Sequence, residues 1–136
     1  MLSCCCWSAA GERRKMECNF TINIPPVTKK NHQQIIYCKG RPMVIPSKQY
    51  KQYEEDCALF MPDIECIDEP VNVKAVYYMP TKRRVDLVNL HEALCDILVH
   101  YHIISDDNCK IIETMDGSIV KYDKLNPRTE VTITSR

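Results

Sequence analysis

A chain of 136 residues is long enough for one domain with a modest hydrophobic core. Its eighteen Lys and Arg cancel its eighteen Asp and Glu, which excludes a global field that would recruit a polyanion or a membrane, so any electrostatic partner must meet a local patch. Nine cysteines without a C-x-x-C pair argue against zinc or dithiol redox chemistry and for thiols in a reducing compartment, hence a cytoplasmic protein.

The opening "MLSCCCWSAAGERRK" has its apolar run before its charges, the reverse of a secretory signal. No stretch approaches the roughly 20 apolar residues of a membrane span. Residues 1–15 are expected to be a disordered N-terminal extension, with Met16 a candidate start and 16–136 the folded domain. "CNFTINI" alternates Phe20, Ile22 and Ile24 with polar neighbours, the period of a half-buried strand. Pro25 and Pro26 lack amide donors and break it. "IIYCKGRPMVI" predicts a hairpin turning at Lys39–Gly40, its Pro42 suited to an edge strand. Ser47 can cap a helix on which Tyr50, Tyr53, Cys57 and Phe60 recur as a core stripe. "VNVKAVYY" predicts a central strand, and the pattern from Asp86 to about residue 103 a second helix. "CKIIETM", a turn at Asp116–Gly117, "SIVKY", a break at Asn126–Pro127 and "TEVTI" complete the chain. Strands around two helices imply an α+β fold, a small mixed β-sheet packed with two main helices.

Charge is unevenly spread. Six bases, including Lys29 and Lys30, stand between Met16 and Lys51 against Glu17 alone, and seven acids with no base follow between Gln52 and Asn72. On the second helix Leu87, Leu90, Leu94, Ile97, Leu98 and Tyr101 share one arc, while Asn89, Glu92 and Asp96 share another. Glu92 and Asp96, four residues apart, repel mildly and need solvent or a cation. Asp106 and Asp107 follow after the helix and can approach Asp86 through the next strand or a partner subunit. Such carboxylates form an all-oxygen set suited to Mg²⁺ or Mn²⁺, and Lys82, Arg83 and Arg84 beside Asp86 suit phosphates of the same polyanionic substrate. A surface ion-pair cluster is the competing reading of these charges, and it contributes little. His91 borders the apolar face and is read as structural, while His100 and His102 complement the helix dipole.

"MPTKRRVDLVNLHEALCDILVHYHIISDDNCKII", "DGSIVKYDKLNPRTEVTI", "IPPVTKKNHQQI" and "PSKQYKQYEED" together resemble the RusA family of Holliday-junction resolvases over nearly everything after Met16. The resemblance implies a homodimeric, RusA-like, Mg²⁺-dependent endodeoxyribonuclease (Mn²⁺ possible) that resolves four-way DNA junctions by symmetric nicks. It implies Asp86 and Asp107 as metal-binding acids, with Asp106 preceding the latter, Asn89 near the helix start and Asp96 one helical segment on. Lys82, Arg83, Arg84, Lys29, Lys30 and Asn31 are the expected DNA contacts. Two positions depart from the family's D-x-D-N and its lysine three residues further on: Val88 replaces the middle acid and Glu92 the lysine. Glu92 is expected to reach inward as the replacement ligand; the alternative is a catalytically impaired module that binds branched DNA with the same fold.

Overall fold

Period-two alternation builds the sheet. The protein, seen as a computed structural model that describes residues 4–8, 15–29 and 33–136, runs β1 (Cys4–Ser8), β2 (Lys15–Ile22), β3 (Gln33–Cys38), β4 (Arg41–Pro46), α1 (Lys48–Cys57), β5 (Val71–Met79), α2 (Leu87–His100), β6 (Ile112–Thr114), β7 (Ile119–Tyr122) and β8 (Arg128–Ser135). The main sheet is ordered β1-β2-β8-β5, with β6 and β7 both on the far side of β5. β1, β2, β8 and β5 pair antiparallel, whereas β6 and β7 run parallel to β5. It is the mixed sheet with two helices that the sequence predicts.

Met16, Cys18, Phe20 and Ile22 of β2, Val71, Val73, Ala75 and Tyr77 of β5, and Val131 and Ile133 of β8 point into one core. Their neighbours Glu17, Asn19, Thr21 and Lys74 face solvent, as expected of a sheet covered on one side. α2 adds Leu90, Ala93, Leu94, Ile97 and Leu98, and α1 adds Tyr50, Tyr53 and Cys57. Ser47 caps α1 as expected, its hydroxyl accepting from Tyr50 N–H at 3.2 Å. The β3–β4 hairpin stands as a separate two-stranded sheet. Its turn takes Lys39 and Gly40 to φ of 52° and 78°, the left-handed pair that lets a two-residue loop match strand twist.

Tertiary contacts set the sheet's edges and the end of α2. Cys4–Ser8 lies along β2 with Ser8 opposite Lys15; an otherwise open sheet edge gains backbone partners this way. α2 stops at His100, short of residue 103, because His102 turns left-handed at φ 58° and Ile103 N–H folds back to the Leu98 carbonyl at 2.9 Å. β6 and β7 share one side of β5, the first meeting it at Val71 and Asn72 and the second from Val76 onward. The Asn72 amide fixes the break between them: its oxygen accepts from Thr114 Oγ1 and from Asp116 N–H, and its nitrogen donates to the Asp116 carbonyl.

Candidate active site

Pro80 ends β5, and the chain crosses to α2 through exposed Thr81, Lys82, Arg83 and Arg84. Lys82 Nζ lies 5.2 Å from the centre of the Tyr122 ring, so β7 supports the start of this basic run. Asp86 follows as N-cap of α2 in extended conformation (φ −85°, ψ 125°), yet its carboxylate makes no capping bond. Capping with that oxygen would contribute about 1 kcal/mol. Asp86 instead accepts from Asn89 Nδ2 at 3.3 Å, which keeps an exposed carboxylate turned toward the helix's second face. Val88, between them, is 74% exposed.

Further along α2, Glu92 is exposed and Asp96 half-buried. Asp96 Oδ2 accepts from Lys29 Nζ at 2.9 Å, a contact spanning 67 positions of chain. Tyr50 of α1 lies in the same neighbourhood: burial, then the charge of Asp96, push its phenol well above the ordinary value, and Glu92 adds to the shift. Asp107 is close as well. Cys95, buried on α2, is pushed up to about 12 by burial first and then by Asp107 and Asp96.

Asp106 and Asp107 divide their tasks. Both oxygens of Asp106 are engaged, Oδ1 by Asp107 N–H at 2.8 Å and Oδ2 by Asn108 Nδ2 at 2.7 Å, and the Asp107 N–H holds its carboxyl below the usual range. Asp106 therefore shapes the turn. Asp107 is raised, first by partial burial and then by Asp106. Lys30 and Asn31, also expected at the site, lie outside the described residues.

The acids thus stand in two groups along α2. Asp86 is at the start of the helix, while Asp107 lies near Cys95 and Asp96, whose position is about 15 Å further along the axis at 1.5 Å per residue. β6 meets the first residues of β5, and Asp86 follows that strand's other end, so the next strand is not the route by which the two groups approach. In donor chemistry the set fits a hard divalent cation, being all oxygen. Asp86, Glu92, Asp106 and Asp107 have no ion-pair partner among the described residues. In placement, no three acid, histidine or cysteine side chains among the described residues come together as a metal site. The acidic stripe on α2 wanted a cation without singling out Lys29, and nothing in the sequence marked the Tyr77 hydroxyl at 2.8 Å from His91 Nδ1, which fixes α2 against β5 and agrees with a structural His91.

Comparison with known proteins decides the family: residues 23–134 match Endodeoxyribonuclease RusA. The chain belongs to the RusA family. No curated protein matches the chain. The RusA match runs from the segment before Lys29 into β8 and takes in both acid groups. It makes the chain a member of a nuclease family that acts on branched DNA junctions. Within this RusA chain, Val88 and Glu92 remain the two departures from the pattern described above.

Proposed function

We propose that residues 16–136 form a structure-specific endodeoxyribonuclease domain that resolves four-way DNA junctions by paired nicks, as a Mg²⁺-dependent homodimer (Mn²⁺ possible) in the cytoplasm. The observation that carries this reading is that Asp86, Glu92 and Asp107, on and beside α2, have no ion-pair partner among the described residues in a chain matched to the family from 23 to 134. Asp86 and Glu92 would hold the cation, joined by Asp107 where a partner subunit brings the two acid groups together, with Asp106 shaping the turn behind Asp107. When bound, a divalent cation supplies charge neutralisation at a phosphodiester and an activated water.

The protein's own groups do the positioning. Asn89 holds the Asp86 carboxylate through its amide, and Lys82, Arg83 and Arg84, all exposed, grip phosphates at the N-terminal end of α2. Lys29, Lys30 and Asn31 extend the contact from the other segment. The distance from Asp86 to Asp96, about 15 Å, equals some four steps of 3.4 Å along one DNA strand, so bases at both ends of the acidic face can bind one strand at once. A dimer needs an apolar surface, and the hairpin offers one: Ile35, Tyr37 and Val44 are 66%, 76% and 60% exposed, and Ile35 stands opposite Val44.

A second reading is a junction-binding module with impaired cleavage, favoured by Val88 at the middle-acid position and by the two-group arrangement of the carboxylates. Incubating purified protein with a synthetic four-way junction in Mg²⁺, Mn²⁺ or EDTA separates the two. Symmetric nicking that EDTA abolishes is expected for the enzyme; tight binding with no product under any metal supports the module. Glu92→Gln should reduce nicking at limiting Mg²⁺, and undiminished nicking removes Glu92 from the ligand set.

A further inference from the structure

Lys29 is held from two sides. Its ammonium donates to Asp96 at 2.9 Å with each side chain 33% exposed, and it lies 5.9 Å from the centre of the Tyr50 ring. Thr28, immediately before it, is 5% exposed, so the backbone that delivers Lys29 is seated rather than draped over the surface. A partly exposed pair of this kind adds little stability. What it does is restrict a side chain that would otherwise sample many rotamers.

A lysine ammonium has three N–H donors, and Lys29 directs one of them to Asp96. The Tyr50 hydroxyl beneath it, on a residue only 3% exposed, has no hydrogen-bond partner among the described residues. The ammonium, on a side chain one-third exposed, has donors to spare for an acceptor, whereas the Tyr50 hydroxyl is buried out of an acceptor's reach. At the same time an ammonium at 2.9 Å already neutralises Asp96, so that carboxylate is the one acid on α2 that has no need of a further cation.

We propose that Asp96 is a positioning residue, not a metal ligand, and that it holds Lys29 so that the ammonium meets a phosphate oxygen of the DNA strand laid along the acidic face of α2. This rests on the junction-nuclease reading above. Asp96 keeps the cation from collapsing onto Glu92 or Asp107, and the Tyr50 ring forms its floor, a contact that itself favours a cation.

The test is binding of the full chain to a fluorescent four-way junction in EDTA across a salt series, together with nicking in Mg²⁺. Lys29→Met keeps the stem over Tyr50 and removes the charge. It should weaken binding about tenfold and lower the slope of log affinity against log salt by about 0.9, the release expected for one lost phosphate contact on duplex DNA. Lys29→Arg should restore the slope. Asp96→Asn, which leaves the cation but frees it, should keep the wild-type slope and lower the nicking rate about tenfold. Folded Lys29→Met with wild-type affinity and slope overturns the phosphate contact, and Asp96→Asn with wild-type nicking overturns the positioning role. A wild-type chain that neither binds nor nicks the junction instead removes the functional reading on which the inference stands.

Discussion

Val88 stands 74% exposed in the first turn of α2, between the Asp86 carboxylate and the Asn89 amide that contacts it. An apolar side chain there has no packing role, so replacing it costs the core nothing. Val88→Asp would add an oxygen donor beside Asp86 and a negative charge at the positive end of the helix, favourable by about 0.3–1 kcal/mol. We expect Val88→Asp to raise nicking at limiting Mg²⁺ about tenfold; an unchanged rate across all Mg²⁺ concentrations would show that the site does not use an acid at that position. Asp86, Asn89 and the two later aspartates were visible in the sequence because a basic run, a cap residue and an apolar helix pattern surround them. The Lys29–Asp96 contact was not, since a bond between residues 67 positions apart leaves no local pattern; only an acidic stripe in want of a cation hinted at it.

α2 is where helix periodicity and packing agree best. Leu90, Leu94, Ile97 and Leu98 were expected on one arc and are all at most 2% exposed, with Ala93 and Cys95 buried beside them. Leu94→Ala should therefore destabilise the fold by about 2–5 kcal/mol, read from chemical denaturation; a loss under 1 kcal/mol would mean the site collapses around the gap. The ends of elements were harder to read, because tertiary partners set them: the helix stops where His102 turns left-handed, and β6 and β7 align on β5 through the Asn72 amide. The turn into β8 carries a titration. Arg128 bonds Asp123 Oδ2 at 3.0 Å, and with the Asn126 and Leu125 amides it holds that carboxyl below its ordinary value of 3.8. A depressed carboxyl contributes stability that is present above the unfolded value and is lost as pH falls through the folded one. Asp123→Asn should accordingly be less stable than wild type at pH 7, with the gap closing as the solution is acidified below about pH 4. A gap that persists at pH 2 would assign the effect to packing.

Taken whole, the molecule carries opposite charges on neighbouring segments and a hairpin whose apolar side chains face solvent, although its net charge is zero. Exposed apolar side chains grouped in this way suit a partner surface, and the proposed dimer is assigned to them. Ile35→Asp is expected to shift a dimer to monomer in sedimentation equilibrium and to convert paired nicks into single ones; an unchanged mass would place the interface elsewhere. The α+β architecture was readable from alternation and helical period alone, and the membership of a junction-nuclease family from the combined pattern of residues 79–112. Where the two acid groups stand relative to one another was not, because it depends on where the chain goes after His102. The most direct test compares a labelled four-way junction with a linear duplex of the same arms in Mg²⁺, using wild type and Asp107→Asn. We predict symmetric nicks in the junction alone, reduced at least a hundredfold by the substitution; equal cutting of both substrates, or nicking that Asp107→Asn leaves intact, would contradict the account.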